Sequence, residues 1–220
     1  HAVEEAAEMT GIASALVLNI GTLTADVIKA MELSTKAANK KGIPVVLDVC
    51  GAGATKYRDE SCKTLFSKCR IDIVKGNASE IARVAGLEVR TKGVDSTAVD
   101  ADMKKTAERL AKKLNCTVVV TGKEDIVCGN GKTYLVKNGD EIMSRVVGTG
   151  CMAASVIGTF CAVEKDYAFA AAAGLACYEI AAELAAKKAK GPGTFKAALF
   201  DCISSLKGKT VEKRKKFTAI

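Results

Sequence analysis

The stretch TADVIKAMELSTKAANKKGIPVVLD, Thr24 to Asp48, changes its period once. Up to Lys41 the apolar residues Val27, Ile28, Met31 and Ala38 recur at helical spacing, with Lys29, Glu32, Lys36 and Lys40 among them. Thr24 is a natural N-cap, and Gly42 with Pro44 stops the helix. Ile43 to Asp48 is then a continuous apolar run closed by a carboxylate, the pattern of a strand buried on both faces.

The same alternation extends both ways. Before it, Ser14 to Asn19 (SALVLN) reads as a strand. After it come helix Tyr57–Lys68, strand Ile71–Lys75, helices Asn77–Ala85 and Asp102–Leu114, and strand Cys116–Thr121. Ile126–Cys128 and Thr133–Val136 flank Gly129-Asn130-Gly131-Lys132, a hairpin signal. Beyond Gly150 the chain turns alanine-rich and helical: Cys151–Val163, Tyr167–Lys188 and Thr194–Leu206. Apolar strands alternating with helices predict an α/β fold with a mostly parallel central sheet and helices on both faces. With 220 residues, one domain over 1–206 is expected, followed by a basic tail over 207–220.

Composition narrows the function. The net charge is +8, but Lys207, Lys209, Lys213, Arg214, Lys215 and Lys216 crowd the end of the chain against Glu212 alone. The body is only mildly basic, so a nucleic-acid partner is not expected and the tail reads as a solvated end. No apolar run reaches the roughly 18 residues of a membrane span, so no membrane partner is expected. Nine cysteines lack CxxC spacing and the sole histidine is His1, which argues against zinc. An odd count within apolar runs suits a reducing cytoplasmic compartment, with most cysteines acting as small buried hydrophobes. The chain opens at His1 with no initiator methionine, directly into an amphipathic pattern, so it is expected to be a fragment.

In open parallel sheets ligands sit beyond the carboxyl ends of the strands. Four strand ends carry chemistry. Asp48 precedes Gly51-Ala52-Gly53-Ala54-Thr55; its carboxylate can hold a magnesium ion or cap a turn. Lys75-Gly76-Asn77-Ala78-Ser79-Glu80 fits a capping arrangement, or Lys75 against phosphates with Asn77 or Glu80 near a metal-bound water. Thr121-Gly122 can meet a nucleotide or form an ordinary turn. Gly148-Thr149-Gly150-Cys151 leads into a long helix whose first N–H groups have no partner within the helix. Such a terminus carries about half a positive charge, binds anions and stabilises a thiolate. The alternative is a glycine turn with a buried cysteine. Together the four ends suit phosphoryl transfer, which needs positioning and charge neutralisation more than covalent chemistry.

These residues resemble the hydroxyethylthiazole kinase family of the ribokinase-like superfamily. The resemblance rests on Gly76-Asn77-Ala78-Ser79-Glu80, Gly93-Val94-Asp95-Ser96, Val120-Thr121-Gly122, Gly148-Thr149-Gly150-Cys151 and Gly191-Pro192-Gly193-Thr194-Phe195. Cys151 stands where most ribokinase-like kinases place an aspartate base. The resemblance implies ATP- and Mg²⁺-dependent phosphorylation of 4-methyl-5-(2-hydroxyethyl)thiazole in thiamin salvage. It implies Cys151 beside the alcohol as base or positioner, Gly148 at the thiazole and anion site, and Lys75 and Thr121 on ATP. Asp48 and Glu80 would handle magnesium and its waters, with Asn77 nearby. It also implies a homotrimer with active sites between subunits. Another ribokinase-like kinase, acting on hydroxymethylpyrimidine, and a non-catalytic nucleotide- or thiazole-binding protein are the alternatives.

Three departures stand out. Lys75 replaces the family arginine and loses its bidentate fork. Val49-Cys50-Gly51 replaces Pro-Val-Gly. Family members carry a further strand–helix stretch ahead of the position of His1, where part of the thiazole pocket lies.

Overall fold

The computed structural model describes residues 2–86 and 96–220. Gly93-Val94-Asp95 of the family pattern therefore lies outside the described residues.

In chain order the elements begin with α1 (Ala6–Ile12), β1 (Leu16–Asn19), α2 (Ala25–Lys41), β2 (Val45–Asp48), α3 (Lys56–Lys68), β3 (Ile73–Asn77) and α4 (Ala78–Val84). They continue with α5 (Ser96–Leu114), β4 (Thr117–Thr121), β5 (Asp125–Gly129) and β6 (Lys132–Val136). A 3₁₀ turn at Glu141–Arg145 precedes α6 (Thr149–Val163), α7 (Tyr167–Ala186), α8 (Pro192–Ser204), α9 (Gly208–Arg214) and β7 (Phe217–Ala219). The expected strands and helices appear, with ends shifted by a few residues; α5 begins earlier than its periodicity signals. Local chemistry sets several ends. Thr24 Oγ1 accepts the Val27 N–H at 3.2 Å, and Gly42 closes α2 at φ +75°.

The seven strands lie in sequential order, β1 to β7. β1 through β4 are parallel, with Asn19 opposite Asp48, Asp48 opposite Lys75 and Asn77 opposite Thr121. β4 through β7 are antiparallel. The parallel arrangement thus holds for the first half of the sheet only. The reason is the tight Asn130-Gly131 hairpin, which can join only antiparallel neighbours.

The strand period divides the core into two layers. Val46, Ile73, Val119 and Val127 face α6, α7 and α8, meeting Ile157, Leu175, Phe195 and Leu199. Val45, Leu47, Val74, Val118 and Val120 face the other way, onto Met31, Leu65, Ile81 and Leu110 of α2 to α5. Each such fully buried aliphatic side chain stabilises the fold by roughly 1.5–3 kcal/mol. α6 rides close on the sheet: a Cβ at Gly158 would stand 2.5 Å from Val17 Cγ2. By length and hydropathy α7 could cross a membrane, yet 72% of its apolar window is buried inside this fold, so it is a core helix.

The C-terminal segment departs from the solvated end that its charge suggests. β7 completes the sheet beside β6, and the Phe217 ring stands 6.0 Å from both Tyr134 and Phe169. Asn138 ties the segment down, donating to the Arg214 carbonyl at 2.9 Å and accepting the Lys216 N–H at 2.7 Å. Glu183 pairs with Arg214 and Lys216, both at 3.6 Å. The apolar Phe217 and these polar anchors outweigh the charge run.

Candidate active site

Asp48 ends β2 with 1% exposure, at the carboxyl edge of the parallel strands. Lys75, one strand over and 4% exposed, donates to Asp48 Oδ2 at 3.3 Å. Burial raises the Asp48 carboxyl above the ordinary aspartate range, and the Lys75 charge works against that rise. Asp48 Oδ1 is buried and accepts no well-directed hydrogen bond from the described residues, although the Cys50 backbone N–H bears on the carboxylate.

The start of α6 meets this pair. Lys75 Nζ lies 3.2 Å from where a Gly150 Cβ would be. Gly148 precedes the helix at φ +97°, a conformation that side chains resist, and no side chain caps the helix. The Thr149 hydroxyl turns away, to the carbonyls of Met143 and Val146, and the Thr149 carbonyl accepts the Tyr178 hydroxyl at 2.9 Å. The first turn is thus anchored from behind, while its Gly150 face is turned to Lys75. A lysine ammonium beside the positive end of a helix is an unfavourable pair unless negative charge joins them. Asp48 supplies one such charge; a phosphate fits as the second.

Cys151 is exposed, so it is not the buried cysteine that a bare glycine turn would give. Among the other eight cysteines, Cys62, Cys128, Cys161 and Cys202 are buried and the rest are partly covered, fewer fully buried than their apolar runs suggest; all are free thiols. Asn19 links Cys151 to the ion pair. Its Nδ2 donates to Asp48 Oδ2 at 3.1 Å and to Cys151 Sγ at 3.2 Å. Cys50 lies beside Cys151 and remains a thiol: burial, then the charge on Asp48, pushes it up to about 11.

Asn77 and Glu80 form the capping box that their spacing predicts. Asn77 Oδ1 accepts the Glu80 N–H at 2.9 Å, and Glu80 Oε2 accepts the Asn77 N–H at 2.7 Å. Glu80 Oε1 reaches across to the Gly51 N–H at 2.7 Å, so one carboxylate fixes the loops after both β2 and β3. Close approach here demands glycine at 76, where a Cβ would meet Val49 Cγ2 at 2.8 Å. Thr121 stands opposite Asn77 in the sheet, its hydroxyl directed at the Gly76 carbonyl at 3.4 Å. The structure therefore gathers Asp48, Lys75, Gly150 and Cys151 into one cluster. Glu80 and Asn77 brace its rim, and Thr121 sits one strand further along the same edge.

Three groups escape the motif reading. Asn19 ends an apolar strand as Asp48 does, so the strand-end rule applied to SALVLN finds it. Arg58 donates to the carbonyls of Ile20, Cys50 (3.1 Å) and Gly21 (2.8 Å), a clamp between two strand-end loops that no local pattern announces. Asp125 and Glu179, 3% and 6% exposed, are neighbouring buried carboxyl groups, and Glu179 Oε2 has no hydrogen-bond partner among the described residues. Burial, then the Asp125 charge, lifts Glu179 to about 11, so this pair carries one proton at neutral pH.

Magnesium can be tested against these donors. Among the described residues no cluster of three or more His, Cys, Asp or Glu forms an ion cage. The open acceptor on Asp48 Oδ1 suits an ion held by one or two carboxylates, waters and substrate phosphates, which is how Mg²⁺ binds in phosphotransferases. Both Glu80 oxygens already accept backbone N–H groups, so Glu80 suits an ion's water better than the ion itself.

The profile of the hydroxyethylthiazole kinase family matches residues 1–209. The chain belongs to the hydroxyethylthiazole kinase family. It is 52% identical over 217 residues to hydroxyethylthiazole kinase of Methanosarcina acetivorans, covering 99% of this chain and 83% of that protein. The solved structure of a hydroxyethylthiazole kinase protein from Pyrococcus horikoshii superposes with a TM-score of 0.90 at 37% identity, over 100% of this chain and 82% of the other. A ribokinase-like superfamily protein from Enterococcus faecalis gives a TM-score of 0.61 at 16% identity, over 92% of this chain and 68% of that one, and shows the fold alone. Membership in the hydroxyethylthiazole kinase family makes this chain an enzyme, a phosphotransferase on the ribokinase-like fold.

Proposed function

We propose that this chain transfers the γ-phosphoryl group of ATP to the hydroxyl of 4-methyl-5-(2-hydroxyethyl)thiazole, the salvage step that feeds thiamin synthesis. The observation that carries the reading is the Lys75 ammonium lodged between Asp48 and the uncapped start of α6. That arrangement holds two positive centres ready for the transferred phosphoryl group.

The amides of Gly148, Thr149, Gly150 and Cys151 form the anion hole, with Gly148 also lining the thiazole. Lys75 neutralises phosphate charge, and Thr121 contacts the ATP phosphates. Cys151 lies beside the acceptor hydroxyl as base or positioner; the hydroxyl loses its proton as its oxygen bonds the γ-phosphorus and the bond from that phosphorus to the leaving ADP oxygen breaks. Asp48, with Glu80 and Asn77 through water, is the place for Mg²⁺. The ion would screen charge on the phosphate oxygens when bound. Oriented donors of this kind supply roughly 3 kcal/mol of barrier lowering each in other enzymes. Active sites shared between subunits of a homotrimer belong to the same reading. Val147, 94% exposed next to Gly148, is the kind of apolar group that a neighbouring subunit covers. Nine free cysteines suit a reducing, cytoplasmic setting.

The test is to incubate the purified protein with ATP, Mg²⁺ and either the thiazole alcohol or hydroxymethylpyrimidine, and to weigh the products. Thiazole phosphate and ADP in equal amounts are expected. Phosphorylation of the pyrimidine alone, or binding of both ligands with no ADP, contradicts the assignment.

A further inference from the structure

We propose that Asn19 is a positioning residue for phosphoryl transfer, locking Cys151 and Asp48 into one geometry around the acceptor oxygen. The inference rests on the role given above to Cys151 and goes beyond it to the group that aims the thiol.

The amide is held at all three of its polar contacts. Asn19 Oδ1 accepts the Gly21 N–H at 2.7 Å, which fixes which end of the amide is oxygen. The two hydrogens of Nδ2 then serve Asp48 Oδ2 at 3.1 Å and Cys151 Sγ at 3.2 Å. The partners belong to β2 and to the first turn of α6, which is 132 residues away from Asn19 in sequence. Cys50 also meets Cys151 with its thiol, but it reaches Asp48 only through its backbone, and Lys75 reaches Asp48 but shows no bond to the sulfur; Asn19 donates to both groups from one side-chain nitrogen.

The loop behind Asn19 is rigid for its own reasons. A Cβ at Gly21 would fall 2.7 Å from Asn19 Oδ1, so the turn closes tightly around the amide. Arg58 then pins the carbonyls of Ile20 and Gly21, together with that of Cys50 after β2. Asn19 is thus a fixed donor on a braced strand end. An exposed cysteine side chain has three staggered rotamers open to it, and a directed N–H selects among them. Since a misplacement of about 1 Å at a reacting group can cost on the order of 100-fold in rate, that selection is a catalytic matter.

Two substitutions separate this role from a purely structural one. Asn19→Asp keeps the oxygen that caps Gly21 but removes both N–H donors; Asn19→Ala removes everything. Both are expected to lower kcat roughly 10- to 100-fold, with KM for ATP changed by less than about threefold. In a Cys151→Ala background the additional loss from Asn19→Asp should shrink, because one of the groups it aims is gone. Wild-type kcat in Asn19→Asp overturns the proposal and leaves Asn19 as a turn cap. An undiminished loss in the Cys151→Ala background overturns the link to the sulfur. Unchanged turnover in Cys151→Ala alone refutes the role assigned to Cys151, a result separate from either outcome for Asn19.

Discussion

Lys75 Nζ and Asp48 Oδ2 stand 3.3 Å apart with their side chains 5% and 1% exposed, a buried ion pair across two neighbouring parallel strands. In a family that usually places arginine at this position, the shorter, point-like ammonium commits itself to Asp48 and to the face of Gly150. The pair is a structural element and, in the proposed function, the positive floor of the phosphate site.

Its structural part is measurable. Lys75→Met leaves an unpaired buried carboxylate and should cost about 3–5 kcal/mol in urea unfolding. Adding Asp48→Asn to that variant should recover part of the loss while turnover stays abolished. A Lys75→Met protein of wild-type stability contradicts the buried pairing.

Cys151 is exposed, with Asn19 and the Cys50 thiol as its polar neighbours, so removing its sulfur should leave the fold intact. Cys151→Ala is expected to lower kcat by one to two orders of magnitude, with stability changed by less than about 0.5 kcal/mol. Equal turnover in wild type and variant removes the thiol from the reaction.

Glu179 predicts a pH dependence of stability. Its folded value, about 11, lies above its ordinary value of 4.5, so the contribution of this group is complete below that ordinary value. It is then lost progressively as pH rises through the folded value. Glu179→Gln keeps the shape and removes the titration. Its melting temperature should match or exceed wild type at pH 8, and the two proteins should converge below about pH 4, where Glu179 is protonated in both the folded and unfolded states. A variant several degrees less stable than wild type at pH 8 contradicts the protonated pair.

The C-terminal segment gives a further test. Phe217 sits among Tyr134 and Phe169 on the sheet edge. Phe217→Ala should lower stability by about 1–3 kcal/mol, read from denaturant unfolding. A change within error would return residues 207–220 to the status of a solvated tail.

Most of the architecture was legible because each strand-end residue closes an apolar run. Asp48, Lys75 and Thr121 are polar where the run stops, and Gly148-Thr149-Gly150 announces a helix start. The hidden parts are those set by contacts distant in sequence. Asn19 meets Cys151 only because β1 and α6 come together in three dimensions, and Glu179 meets Asp125 only because α7 packs on β5. The tail misled for a related reason: its charge run is local, while Asn138 and Glu183, which pin it, come from far upstream. Glu80 was readable as a cap from its spacing, but its bond to the Gly51 loop was not.

In the proposed reaction the start of α6, opened by Gly148, meets the transferred phosphoryl group. The most direct measurement is the turnover number for thiazole phosphate formation in Gly148→Val, alongside ADP binding by the same protein. Valine resists the +97° backbone angle and shifts the amides that follow it. Turnover is predicted to fall by about 100-fold or more, with ADP affinity unchanged. A Gly148→Val enzyme that makes thiazole phosphate at the wild-type rate contradicts the account.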